Sequence, residues 1–313
     1  MKYSVLDFSS QETTVSAKRN LNERIKLARL TESMNYHRFW ISENEANSVL
    51  VGSTPELIMA HLALATDEIR IGSAGIMLPY YSGEKIADTF KTMDVVRNNR
   101  IDVGVGQAAG KNWFSKKLNE DPTDYHVFER EMKEVQHLLE KTNHMKAENA
   151  YSSLMKNGNP KIFIINSNAR NTSITAEIGA GFFAPYYLNS SEELKDAIRY
   201  YQEHFVQSNI LEKAHVMLGV FVAIGSAPQE IEQLKSDFNQ WDELQQASDR
   251  ERDPNRAIIG TGKEVVERVS ELAKDYLADE VMLIPNIENN QKRAGTIQSF
   301  AEALAEHRRA LFG

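Results

Sequence analysis

The sequence predicts an α/β protein built as a (β/α)₈ barrel. Short apolar runs alternate along the 313 residues with longer segments of helical period, and eight alternations fit this length. The apolar runs are continuous rather than alternating with polar residues, which is typical of parallel strands buried on both faces. A doubly wound open sheet is the alternative that these observations leave open. Because no internal repeat or linker composition is found, we predict a single domain over residues 1–313.

The eight predicted strands are short apolar runs bounded by polar residues. They cover residues 3–7, 38–42, 70–75, 101–106, 161–166, 181–186, 216–224 and 280–285. In a barrel of this kind the C-terminal ends of the strands form the face that carries the active site. Candidate functional residues are therefore expected directly after these runs.

Helix-start signals lie between the predicted strands. They are an N-cap residue before a first-turn proline, an Asp-Pro pair before a long helical pattern, and two capping boxes in which a hydroxyl residue precedes a glutamate by three positions. The predicted starts are Thr54-Pro55, Asp121-Pro122, Ser190 with Glu193, and Thr261 with Glu264. The polar stretch 245–256 is predicted to be a mobile loop near the active face, although an ordinary solvated loop explains its composition equally well.

Composition excludes several classes of protein. The formal net charge of -8 disfavours nucleic acid or an anionic membrane as a partner. Cysteine is absent, which excludes thiolate catalysis, Cys-ligated zinc and disulfides. The histidines form no ligand pair, so no metal site is predicted. No run approaches the ~20 apolar residues of a membrane span, and the first residues are a poor signal peptide, so we expect a cytoplasmic protein.

Polar residues follow the second predicted strand. The run Phe39-Trp40-Ile41 ends in Ser42 and Glu43. Since this point lies at the C-terminal end of a barrel strand, we predict a functional role for Glu43. A turn that caps the next helix is the alternative.

The stretch "IDVGVGQAAG" places Gly104, Gly106 and Gln107 at the end of the fourth predicted strand. It resembles a dinucleotide or phosphate-loop fingerprint only superficially, because no good helix follows and the glycine spacing is wrong. We predict instead that the glycines make room for a flat ligand packed against the backbone.

The stretch "INSNARNTS" starts a helix after the fifth predicted strand. Free N–H groups at a helix N-terminus form a natural phosphate site, and Arg170 could add a forked donor. Plain N-capping by Ser167 or Asn168 is the alternative. The two interpretations remain open on the local sequence.

Several segments together resemble the bacterial luciferase-like monooxygenase family. They include "NYHRFWISE", "PELIMAHLALATDEIRIGSAGIMLPYYSGEKIADTF" and "NRIDVGVGQA", and the most specific part is 54–107. The resemblance implies a luciferase-like TIM barrel that uses reduced flavin, usually FMN, supplied by a separate flavin reductase. Some members use a deazaflavin. It also implies a homodimer and a small organic substrate.

The resemblance further implies roles for individual residues. Ala74 and Gly75 would form a non-proline cis peptide that supports the flavin ring, and Gly104, Gly106 and Gln107 would line its edge. The phosphate site would include the turn Asn166, Ser167, Asn168 and Arg170. Glu43 would shape the site, and Asn44 would hydrogen-bond flavin or substrate.

Two departures from the family pattern are expected to matter. The family often has Glu-His-His after the second strand, whereas this chain has Glu43-Asn44-Glu45, and the first of those histidines is associated with catalysis. An arginine used for the flavin phosphate is replaced by Gln107, for which Arg170 is predicted to compensate. The resemblance therefore implies an FMN-dependent monooxygenase, with a flavin-binding protein of little turnover and a deazaflavin-dependent reductase as alternatives.

Overall fold

A nearly closed barrel of parallel strands surrounded by helices forms the fold, as predicted. The computed structural model describes residues 1–8, 16–43, 54–97, 99–107, 121, 123–144, 159–166, 168–188, 192–244 and 256–312. The strands in this part of the chain are β1 Lys2–Asp7, β2 Arg38–Ile41, β3 Arg70–Ser73, β4 Ile76–Met77, β5 Asp102–Gly106, β6 Lys161–Ile165, β7 Gly181–Pro185, β8 Val216–Ile224, β9 Ala257–Gly260 and β10 Glu280–Ile284.

The strand order is β3-β2-β1-β10-β8-β7-β6-β5-β4. Because β4 follows β3 along the chain and pairs with β5, the two ends of the sheet meet. A bridge between Ile71 and Ile101 joins the same two edges lower in the barrel. This closure excludes the doubly wound open sheet.

Two strands differ from the prediction. The run predicted as one strand over 70–75 is divided into β3 and β4 by a cis peptide between Ala74 and Gly75. The strand β9 was missed, because its four residues are short and depend on pairing with the C-terminal half of β8. Of the stretch 245–256, which the sequence assigns to a loop, residues 245–255 lie outside the described part of the chain, and Arg256 is buried and paired with Asp242.

Helices cover the outside of the barrel. They are α1 Ala17–Ser33, α2 Pro55–Ala65, α3 Gly83–Val96, α4 Tyr125–His144, α5 Ala169–Glu177, α6 Glu192–His204, α7 Pro228–Leu244, α8 Gly262–Asp275 and α9 Asn290–Phe312, with a short 3₁₀ helix at Leu78–Tyr80.

The helix-start predictions have different outcomes. Thr261 and Glu264 form the predicted capping box, and α2 begins at Pro55 although the Thr54 side chain makes no capping bond. The long helix α4 begins at Tyr125 rather than at Asp121, because the Asp121 carboxylate accepts hydrogen bonds from the backbone and hydroxyl of Thr123 and holds a turn there. Ser190 lies outside the described residues.

The barrel interior has a charged layer below an aromatic one. In the charged layer the Arg38 guanidinium bridges Asp102, at 2.6 Å, and Glu280, at 3.0 Å. Arg70 donates to the other oxygen of Asp102 at 2.6 Å, and His215 lies 3.0 Å from Glu280. Buried charges are stable only when paired in this way.

Trp40 dominates the aromatic layer above. Its ring lies 5.1 Å from that of Phe163 and 6.1 Å from that of Phe183, centre to centre. The indole also covers Gly72 on the neighbouring strand, where an added Cβ would lie 2.6 Å from Cδ1 of Trp40. A layer of large side chains therefore fills the barrel, so a ligand can enter only above it.

Candidate active site

The carboxylate of Glu43 holds the segment that follows the cis peptide. Glu43 is 4% exposed at the end of β2, its Oε2 accepts a hydrogen bond from the backbone N–H of Met77 at 2.7 Å, and its Oε1 accepts one from the hydroxyl of Tyr81. These contacts make Glu43 a positioning residue for the segment 76–81. Asn44, the other predicted catalytic residue, lies outside the described residues.

The Ala74–Gly75 peptide is cis, as the family resemblance implies. An added Cβ at Gly75 would lie 2.5 Å from Cδ1 of Ile165 and 3.0 Å from the carbonyl carbon of Val105. A side chain at position 75 would therefore collide with two neighbouring strands at the barrel mouth. Whether Ala74 and Gly75 contact a cofactor stays a prediction.

The glycines of β5 differ from each other. A Cβ at Gly104 would overlap the carbonyl oxygen of Ser73 and lie 3.2 Å from the Trp40 ring. Its absence thus serves the close approach of β3 and β5, which a hydrogen bond of 3.0 Å from the Ser73 hydroxyl to the Gly104 carbonyl reinforces. A Cβ added at Gly106 would lie 3.7 Å from the nearest described atom, Cδ1 of Ile165. Gly106 is therefore the position where space remains, and a cofactor contact at either glycine stays a prediction.

Gln107 follows Gly106 at the mouth. Its side-chain amide donates to the backbone carbonyl of Thr123 at 3.0 Å. This bond ties the end of β5 to the turn before α4. The predicted cofactor contact of Gln107 remains untested.

The predicted phosphate turn contains two asparagines with structural roles. Asn166 is buried, donates to the carbonyl of Ile164 at 2.7 Å and accepts from the hydroxyl of Thr175 at 3.1 Å. Asn168 is the N-cap of α5, and its side chain accepts from the backbone N–H of Asn171 at 2.9 Å. The capping alternative is therefore satisfied by Asn168. Ser167 lies outside the described residues.

Asn171 is the orphaned polar group of this turn. It is 0% exposed, and within the described ranges neither atom of its side-chain amide has a hydrogen-bond partner. A buried polar group left in this state costs roughly 1–3 kcal/mol, so a partner from a ligand would satisfy it. Arg170 next to it is exposed and lies 5.5 Å over the ring of Tyr125. A role for Arg170 at a phosphate stays a prediction.

A cavity of about 640 Å³ opens beside the same turn, between α5 and α6. Asn166 and Asn168 line its inner end, while Glu193 and Asp196 stand on the α6 side. Two carboxylates are unfavourable neighbours for a phosphate. The α6 side of this cavity is therefore unfavourable for an anion.

An aromatic wall stands on the other side of the mouth. We define it by the five side chains Phe8, Tyr187, Phe221, Phe238 and Trp241. Phe221 is its centre, with ring centroids 5.5 Å from Phe8, 4.9 Å from Tyr187 and 5.5 Å from both Phe238 and Trp241. Burial raises the pKa of the Tyr187 hydroxyl far above its usual range, so this group stays protonated.

Phe221, the centre of the aromatic wall, lies on β8, across the barrel from β3. In the strand order, β2, β1 and β10 separate β3 from β8 on one side, and β5, β6 and β7 separate them on the other. The polar turn of α5 lies between these two sides, after β6. The mouth thus offers a backbone platform and an apolar wall, with the polar turn at the start of α5 between them, which fits a flat cofactor with a polar tail.

Sequence reasoning missed three features of this mouth. Asn171 was within the quoted phosphate turn but was not singled out, although its place in the first helical turn is a usable signal. Tyr81 and the aromatic wall carry no local signal, since their role depends on segments that are distant in sequence.

In the part of the chain that the structure describes, no group of three or more His, Asp or Glu residues could hold a metal ion. Across the same residues, no helix is both long and apolar enough to cross a bilayer.

Comparison with known proteins defines the class to which this barrel belongs. A family model described as luciferase-like monooxygenase matches residues 1–280. The chain belongs to the luciferase-like monooxygenase family. It is 26% identical to the N-acetyl-S-alkylcysteine monooxygenase of Bacillus subtilis (strain 168) over 345 aligned positions, which cover 99% of this chain and 100% of that protein.

Solved structures support the same fold. Apo-MsnO8 superposes with a TM-score of 0.84 at 20% identity and covers 97% of this chain and 98% of its own. The oxygenating constituent of 3,6-diketocamphane monooxygenase from Pseudomonas putida, solved with FMN, has a TM-score of 0.71 at 15% identity, with 96% of each chain covered. An F420-dependent secondary alcohol dehydrogenase has a TM-score of 0.65 at 11% identity and covers 96% of this chain and 99% of its own. Of these three neighbours, one was solved with FMN and one with an F420-acetone adduct.

Proposed function

We propose that this protein is an FMN-dependent monooxygenase, which uses reduced FMN and dioxygen to oxidise a small organic substrate. Membership of the luciferase-like monooxygenase family supports the reaction class. The observation that carries the assignment of FMN is the orphaned amide of Asn171 in the first turn of α5. A helix N-terminus with an unpaired buried donor suits a phosphate group.

Two groups of residues contact the cofactor in this proposal. Ala74, Gly75 and Gly106 form the surface against which the flavin ring packs. Asn171 donates to the phosphate, with Ser167, Asn168 and Arg170 around it. Reduced flavin, when bound, supplies the electrons for the reduction of dioxygen.

Glu43 and the aromatic wall support that chemistry from the protein side. Glu43 fixes the segment after the cis peptide through Met77 and Tyr81. The aromatic wall excludes water from the space between the flavin ring and β8 and receives the apolar part of the substrate. We further propose that a separate reductase supplies the reduced flavin and that the protein is a homodimer, both from the family resemblance. We also propose a cytoplasmic location, from the sequence features given above.

Titration of the purified protein with FMN and with riboflavin tests the cofactor assignment. FMN is expected to bind more tightly than riboflavin, and the reduced form more tightly than the oxidised form. Asn171→Ala should weaken FMN binding about tenfold and leave riboflavin unchanged, which is the scale of one hydrogen bond to a charged group. Arg170→Glu, which reverses a charge near the same turn, should also weaken FMN selectively.

Asn209→Ala is the matched control, because it removes an exposed asparagine amide outside the mouth. Equal affinities of the wild type for FMN and riboflavin would contradict the phosphate site. Transfer of an oxygen atom to a substrate, rather than release of hydrogen peroxide alone, then separates a monooxygenase from a flavin-binding protein of low turnover, the alternative suggested by Asn44 in place of histidine. Tighter binding of a deazaflavin than of FMN would favour the reductase alternative.

A further inference from the structure

Arg256 is a buried cation with unused hydrogen-bond donors. It precedes β9 directly and is 2% exposed. Its Nη2 pairs with the carboxylate of Asp242 on α7. Among the described residues, neither Nε nor Nη1 has a partner. Because Nε carries one hydrogen and Nη1 carries two, three of the five guanidinium N–H donors remain unsatisfied.

This guanidinium adjoins the aromatic wall. Its central carbon lies 5.8 Å from the centre of the Phe238 ring, and Phe238 contacts Phe221 at 5.5 Å between ring centroids. Phe221 in turn packs on Phe8 and Tyr187, which follow the C-terminal ends of β1 and β7. The chain of ring contacts therefore leads from Arg256 to the barrel mouth.

A purely structural role explains only part of this arrangement. An ion pair with Asp242 uses one nitrogen of the guanidinium and leaves the other two desolvated. Burying such donors without acceptors is unfavourable for each group. An acceptor that approaches from the mouth would satisfy them, and a carboxylate is the acceptor that forms the strongest bonds to a guanidinium.

We propose that Arg256 binds the carboxylate of the substrate, so that the substrate class is an organic acid whose apolar body packs on the aromatic wall. This inference rests on the proposed function, because it places the acid between β8 and the flavin platform across the mouth. Asp242 already balances one unit of charge, so it opposes a second anion. Recognition therefore depends on the three free N–H groups rather than on net charge alone.

Binding of matched probes to the FMN-loaded protein tests the proposal. Phenylacetate and hexanoate supply a carboxylate on an apolar body, and their primary amides are the neutral counterparts. Calorimetry is expected to show tighter binding of each acid than of its amide. Arg256→Gln should weaken the acids by about tenfold to a hundredfold and leave the amides unchanged. Asp242→Asn should strengthen the acids, since it removes the opposing charge.

Arg199→Gln is the control, because it removes an arginine from an exposed ion pair with Asp196 on α6. It should leave the ratio of acid to amide affinity at the wild-type value. Three outcomes would overturn the proposal. The wild type could bind acid and amide equally, or bind neither acid, or the preference for the acid could survive Arg256→Gln. If Arg256→Gln does not fold, an acid affinity that fails to rise in Asp242→Asn overturns it as well.

The same samples separate this inference from the proposed function. FMN binding is followed by quenching of flavin fluorescence before each probe titration. Loss of FMN binding contradicts the proposed function, and the acid preference is then measured on the flavin-free protein. Normal FMN binding without an acid preference contradicts only the role of Arg256.

Discussion

The indole Nε1 of Trp40 donates a hydrogen bond to Oδ2 of Asp102 at 3.1 Å, which joins the aromatic layer of the barrel to the charged layer below it. Asp102 also accepts from Arg38 and Arg70 and is fully buried. These partners outweigh the effect of burial and hold the pKa of Asp102 below its usual range. One carboxylate thus organises the interior of three neighbouring strands, β2, β3 and β5.

Loss of the Asp102 charge is expected to destabilise the barrel strongly. Asp102→Asn leaves Arg38 and Arg70 without their shared partner, and breaking a buried pair typically costs about 3–5 kcal/mol. Urea unfolding measures the change. Asp196→Asn removes an exposed carboxylate paired with Arg199 and should have little effect. A similar small loss in both variants would show that the buried network does not hold the barrel.

The free energy of unfolding should fall at acidic pH because of the buried carboxylate of Glu280. Burial by itself would raise the pKa of the Glu280 carboxyl, but Arg38 and His215 outweigh it and hold this pKa well below its usual range. The stabilisation is therefore fully present above the unfolded pKa of about 4.3 and is lost as pH falls below it. Denaturant unfolding at a series of pH values should show this loss. Glu280→Gln should give a shallower slope below about pH 4, and an unchanged slope would contradict the assignment.

Two glycines of β5 should respond differently to the same substitution. Gly104→Ala places a methyl group against the Ser73 carbonyl, where neither backbone can move without opening the contact between β3 and β5. Overpacking of this kind costs about 1–3 kcal/mol or more. Gly106→Ala adds only an ordinary contact at 3.7 Å from Ile165. It should keep the wild-type Tm while weakening FMN binding, and equal Tm losses would contradict this distinction.

The role of Glu43 as a positioning residue can be tested by comparing substitutions of Glu43 and of its partner Tyr81. Glu43→Ala removes the acceptor for both Met77 N–H and Tyr81, whereas Tyr81→Phe removes only one donor and keeps the Met77 bond. We expect Glu43→Ala to weaken FMN binding about tenfold, on the scale of one charge-assisted bond, and Tyr81→Phe to have a smaller effect. Flavin fluorescence titration distinguishes them. A larger effect of Tyr81→Phe would place the hydroxyl itself at the flavin.

Gly295 offers a stabilising substitution. It lies inside α9, is exposed, and has no described atom within 4 Å of an added Cβ. Alanine at a helical position without crowding is about 0.5–1 kcal/mol better than glycine. Thermal unfolding of Gly295→Ala should show a raised Tm. The substitution should leave FMN binding unchanged, because Gly295 belongs to none of the groups of residues proposed to contact the cofactor.

The fold could be predicted because burial of parallel strands on both faces leaves a continuous apolar run in the sequence. The short strand β9 could not, since Ala257–Gly260 becomes a strand only through its pairing with β8. The cis peptide between Ala74 and Gly75 was expected only from the family resemblance, because a cis peptide has no signature in the hydrophobic pattern, and the division of β3 from β4 was not predicted.

The site was predicted less completely than the fold. The position of Glu43 followed from its place at the C-terminal end of a predicted strand. Its partner Tyr81 is 38 residues away and had no local signal. The unpaired amide of Asn171 and the unpaired Nε and Nη1 of Arg256 became visible only in the packed structure. That property belongs to the packed tertiary structure and not to any stretch of sequence.

The contact between Trp40 and Gly72 has a consequence for the evolution of this barrel. Because the indole occupies the space that a side chain at position 72 would need, neither position can change freely while the other stays fixed. A relative with a smaller residue at position 40 has room for alanine or serine at position 72, whereas one that keeps tryptophan is bound to glycine there. The two positions are thus expected to be inherited as a pair across the family.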